Sequence, residues 1–155
     1  MFCKERCIDL VFCPRHGNTD ISFEKKVVIQ QALAELDEAL QHATANLRNA
    51  HVLTLDNRNW LMDRIADSKF KATQYGCGYL TELTCLAEII VMMIFRSDFK
   101  KYLHCIAQMQ NVVLQMQQSL ATNELCEGHR KQIAESIEDL WQWVGMNTLN
   151  GTRHY

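Results

Sequence analysis

Residues 80–95 read LTELTCLAEIIVMMIF, and of the eleven positions from Cys85 to Phe95 ten are apolar, Glu88 being the exception. A helix that is apolar almost all round has to be covered on most of its sides. This run therefore dictates the rest of the fold: the chain must supply helices or strands with apolar faces to pack around it. It falls short of the about 18 to 20 uncharged residues that cross a bilayer, and Glu88 sits inside it, so the run predicts a buried core helix and no membrane span.

The covering elements read as helices. From Ser22, a suitable N-cap with Glu24 in the first turn, the apolar positions Ile29, Leu33, Leu36, Leu40, Ala43, Leu47 and Ala50 alternate steps of four and three. That spacing keeps one stripe facing a partner and predicts a helix over 22–53. Asp56 reads as the cap of a thinner-striped helix bearing Trp60, Leu61, Ile65, Ala72 and Tyr75, which Tyr75-Gly76-Cys77-Gly78-Tyr79 breaks before the central run. Ser97-Asp98 then reads as a cap for a second heptad seam: Phe99, Tyr102, Ile106, Met109, Val113, Met116 and Leu120. Asn123 caps a last helix with the stripe Ile133, Ile137, Leu140 and Val144, and Gly145 fits its C-terminal cap.

With one proline and six glycines the chain has few breakers, which favours long helices over a many-turned β-fold. The expected architecture is all-α: a bundle of four to five helices around the apolar central helix. An irregular segment over 1–21, a bundle domain over 22–145 and a loose tail over 146–155 complete the expected organisation. The 48% hydrophobic and 22% charged composition fits a single globular domain of 155 residues.

Formal net charge is −2 and the basic residues are scattered (Lys25/Lys26, Lys100/Lys101, Arg130/Lys131), so no basic stripe exists to follow a nucleic-acid backbone. The opening MFCKERCIDLVFC carries charge where a secretory signal needs an apolar block. A cytoplasmic location is expected, with the seven cysteines as thiols.

Four patterns bear on chemistry. Arg15-His16-Gly17 after the apolar Ile8 to Phe12 resembles the motif of the histidine phosphatase superfamily. The resemblance implies a phosphorylated His16 and a phosphate-holding Arg15. That family sets the motif after the first strand of an α/β sheet and needs a second histidine and arginine from later strands. Nothing after Ser22 reads as a strand, so a turn is the preferred reading. Cys3, Cys7, Cys13 and His16 offer the donor set of a zinc site, without the usual two-residue gap between paired cysteines. The pairs Glu35/Glu38, Glu124/Glu127 and Glu135/Glu138 are similar to the carboxylates that hold magnesium in all-α nucleotide pyrophosphohydrolases. The second helix, however, supplies Asp56, Asp63 and Asp67 rather than a matching pair. His42 has the exposure of a histidine phosphotransfer site but is followed by Ala43-Thr44-Ala45-Asn46, without that family's lysine. Cys77, flanked by glycines, is expected to be exposed, with no cation beside it in sequence to activate the thiol.

What remains is surface. Glu35, Asp37 and Glu38 on the first long helix, with Glu135, Glu138 and Asp139 on the last, predict an acidic face, provided the two helices lie side by side. Trp141 and Trp143, two positions apart, cannot both enter the core from one helix, so one of them is expected partly exposed beside that face. The functional expectation is a non-enzymatic, cofactor-free protein that binds another protein. Its most concrete form is an inhibitor of the immunity or antitoxin kind facing a basic toxin or nuclease. The alternatives are a magnesium-dependent all-α hydrolase using Glu35, Glu38, Glu124 and Glu127, and a homodimeric adaptor paired through the heptad seams.

Overall fold

The computed structural model describes residues 23–94, 99–122 and 127–153, and for 122, 127–129 and 148–153 only the backbone. The expected caps at Ser22, Ser97-Asp98 and Asn123, the irregular 1–21 segment and the four zinc donors within it lie outside the described residues. Five helices make up the described chain: α1 (Phe23–Ala50), α2 (Leu55–Gln74), α3 (Gly78–Met93), α4 (Phe99–Thr122) and α5 (Glu127–Arg153). The fold is the expected all-α bundle.

The heptad seam of α1 is buried from Ile29 through Leu47, while Ala50, its last position, is exposed. The helix stops there because His51 takes a left-handed conformation, φ 62°. Its N–H bonds the Leu47 carbonyl at 2.9 Å, and its ring stacks on Phe99 at the start of α4. The cap of α2 is Thr54 rather than Asp56. The Thr54 hydroxyl oxygen accepts from the Asn57 N–H at 3.2 Å, and Asp56 sits in the first turn, where its charge suits the positive helix end.

The break between α2 and α3 is a Schellman closure. Gly76, at φ 69°, bonds its N–H to the Thr73 carbonyl, and the Cys77 N–H reaches back to Ala72 at 2.9 Å. This geometry draws Cys77 fully into the core, against the sequence expectation of an exposed thiol. A further correction is at the last helix. Helix α5 runs through Gly145 to Arg153, so Gly145 is not its cap and residues 146–153 are helix rather than loose tail. Nothing lies within 4 Å of where a Gly145 side chain would begin, so its place is a solvent-facing turn.

Packing runs from α1 to α2, α2 to α3, α3 to α5, α5 to α4 and from α4 back to α1, while α3 and α4 touch each other only slightly. Helix α5 lies along the seam between α3 and α4 and packs on both. Matched pairs run in opposite directions along α1 and α2 (Glu24 with Tyr75, Ala32 with Ser68, His42 with Trp60), so these helices are antiparallel. Helix α3 touches α2, α4 and α5 and buries Leu80, Leu83, Leu86, Ala87, Ile90 and Val91. Three neighbours account for its apolar girth. Its exposed residues are Glu82, which meets α5 through Trp141, and Met92. Among the described residues no helix is long and apolar enough to cross a membrane.

Candidate functional site: the groove between α3 and α5

The two acidic sets expected to make one face are apart. Helix α1 packs on α2 and α4, whereas α5 packs on α3 and α4. Antiparallel pairing with α2 also brings cations to the α1 carboxylates. Both Glu35 oxygens accept from Lys71 Nζ, at 2.8 and 3.0 Å, and Glu38 meets Arg64 at 3.7 Å. Asp37 accepts from Gln41, one turn along its own helix, at 2.8 Å. In the α1 half of the expected binding surface, Glu35 and Glu38 are thus paired across to α2, while Asp37 is bonded within α1.

The α5 half is arranged differently. The two tryptophans straddle the helix. Trp143 turns toward α4, edge-on to Tyr102 at a centroid distance of 5.8 Å, and is partly buried. Trp141 turns toward α3 and donates its Nε1–H to Glu82 Oε1 at 3.1 Å, while 37% of its surface stays exposed. One in and one out is what a two-residue separation requires on a helix of 3.6 residues per turn.

Between α3 and α5 the Trp141 ring borders an open groove of about 470 Å³. Ala134 and Ile137 form its apolar floor with Tyr79, and Glu82 and Glu138 are its carboxylates, one from each helix. Gln142 completes the lining at one end. Glu138 is exposed and, among the described residues, no cation pairs with it. Glu135 and Asp139 are exposed on α5 outside the groove lining. Sequence reasoning singled out Glu138 and Trp141 but missed Glu82 and Tyr79. Only the packing of α3 on α5 brings those two residues to the same place.

The remaining candidates do not assemble. Among the described residues no three His, Cys, Asp or Glu side chains converge to hold a metal ion. For the magnesium alternative, Glu35 and Glu38 are engaged by Lys71 and Arg64, and the side chains of Glu124 and Glu127 lie outside the described residues. His42 packs against Trp60 at 4.3 Å, with Arg64 5.0 Å from the same ring, so its imidazole belongs to an interhelical cluster. The Cys105 thiol is pushed up to about 12 by burial, which removes its nucleophilic form near neutral pH. Comparisons of the chain with protein-family models, with curated proteins and with solved structures find no match.

Proposed function

We propose that this protein works by binding another protein, and that the α3/α5 groove is the surface it uses. The observation that carries this reading is Trp141: a large aromatic side chain, part exposed and fixed by its bond to Glu82, beside an apolar floor. Anchored tryptophans rimmed by polar groups are the residues on which protein interfaces concentrate their energy. The two carboxylates bias the partner toward a basic surface and set a steering field that salt weakens. An inhibitor of the immunity or antitoxin kind, acting in a reducing cytoplasm, is the most concrete form of such a binder. Among the described residues Cys77, Cys85 and Cys105 form no disulfide, which is compatible with that compartment.

The test is capture of a stoichiometric partner by the full chain in reducing buffer, beside the Trp141→Ala variant with its fold checked by circular dichroism. A partner retained by the native chain, weakened as salt rises and lost in the variant supports the proposal. A partner held equally well by Trp141→Ala removes the groove from the interface, and a clean bait removes the protein-binding reading.

A further inference from the structure

Resting on the protein-binding reading, the groove geometry narrows the occupant to one kind of side chain. We propose that the α3/α5 groove is a seat for a single arginine side chain presented by the partner.

The seat needs three things, and the groove has each of them. A guanidinium is planar and weakly hydrated, so it stacks on an aromatic face. Trp141 supplies that face, and its orientation is fixed at the indole nitrogen by Glu82. A guanidinium also presents a fork of donors that fits carboxylate oxygens. Glu82 and Glu138 supply carboxylates from the two walls of the groove. The indole bond uses Oε1 of Glu82 and leaves its second oxygen to accept. Finally, the methylene stem of an arginine needs apolar contact, and Ala134 and Ile137 offer it on the floor.

Charge on the same helix limits the ligand to one such residue. Along α5 the stripe is mixed in sign, with exposed Lys131 and Glu135 before Glu138, so it offers no row of carboxylates to a run of basic residues. Lysine is the poorer occupant because its ammonium is a compact, strongly hydrated charge with no plane to stack.

The experiment uses the full chain and three acetylated, amidated pentapeptides, Gly-Gly-X-Gly-Gly, with X as arginine, lysine or citrulline. The readout is the indole N–H NMR signal of Trp141, assigned by its loss in Trp141→Phe. The signals of Trp60 and Trp143 serve as the internal check of fold. The arginine peptide should shift the Trp141 signal saturably, in roughly the millimolar range expected of one side chain. Lysine should bind about threefold or more weaker, and citrulline, which keeps the shape and lacks the charge, should give no saturable shift. Glu138→Gln and Glu82→Gln should each weaken the arginine peptide about three- to tenfold, the span for one solvent-facing charge-assisted contact. No saturable shift with arginine, equal binding of citrulline, or undiminished binding in Glu138→Gln overturns the proposal. Loss of a captured partner in Trp141→Ala, with no shift by the arginine peptide, leaves the protein-binding reading standing and removes the arginine seat alone.

Discussion

The Ser68 hydroxyl donates to the Ala32 carbonyl oxygen across 2.7 Å where α2 meets α1, and both residues are fully buried. A hydroxyl in a core is tolerated only with a partner, and here a helix carbonyl serves. Ser68→Ala should cost about 1 kcal/mol, since the carbonyl left behind keeps its place in the α1 backbone ladder. Ser68→Leu should cost about 1 to 3 kcal/mol by overfilling the same contact. Urea unfolding midpoints of the two variants check the order.

Arg58 closes the far end of α3. Its guanidinium donates to the carbonyls of Val91 and Ile94, the last of which stands as the C-cap residue. Cations at a helix C-terminus satisfy orphan carbonyls and complement the helix dipole. Arg58→Ala should destabilise by about 1 to 3 kcal/mol, and Arg58→Lys should restore only part of it. Thermal unfolding of both variants measures this. Native-like stability in Arg58→Ala would show that water caps α3 equally well.

Stability should fall on the alkaline side. Cys105 ordinarily loses its proton near 9.0, but burial holds the folded thiol neutral to about 12. As pH rises from 9.0, the unfolded thiol ionises first and draws the equilibrium toward unfolding, by up to about 1.4 kcal/mol per pH unit. Lys69 adds to the same trend. Its pKa is raised above 10.5, first by its hydrogen bond to Glu88 and against the effect of its own desolvation. A raised lysine contributes stability below its unfolded value, and that contribution disappears as pH passes the folded value. Urea titrations between pH 8 and 11 should show the decline, and Cys105→Ala should flatten it. A parallel decline in that variant would assign the effect to other groups.

Glutamates that looked alike in sequence should now separate. Glu35→Gln breaks the part-buried ion pair with Lys71 and should cost about 1 to 3 kcal/mol, leaving capture of a partner unchanged. Glu138→Gln should leave stability unchanged and weaken capture. Paired unfolding and binding measurements on both variants decide it. Equal weakening of capture by the two would return α1 to the interface.

The two heptad seams were legible because a seam is a property of one helix. Ile29 to Leu47 on α1 and Tyr102 to Leu120 on α4 are buried at the positions their spacing marks. The thin stripe of α2 was harder to read, because Ser68 counts as polar and yet lies in the core, satisfied by a carbonyl 36 residues away. The acidic residues of α1 were visible, but their neutralisation was not. Pairing Glu35 with Lys71 depends on the antiparallel register of α1 and α2, which no local pattern encodes. The groove was half legible for the same reason: Trp141 and Glu138 stood out on α5, while Glu82 and Tyr79 join them only through packing. Gly145 suits a helix end by residue type alone, yet its helix continues past it.

Helix α5 packs on α3 and α4, whereas α1 and α2 pack chiefly on each other, on α3 and on α4. In terms of amide exchange this makes α5 a separable unit, whose release opens the seam between α3 and α4, leaves the α1/α2 packing in place and requires less than global unfolding. Amide protons near Ile137 and Leu140 should then exchange faster than those near Leu33 and Leu36. One wall of the groove belongs to the helix that lifts away, so any ligand seated against Trp141 and Glu82 must also hold the lid of its own site. Occupancy would therefore be readable as slowed exchange along α5, with the amides of α1 serving as the unmoved reference.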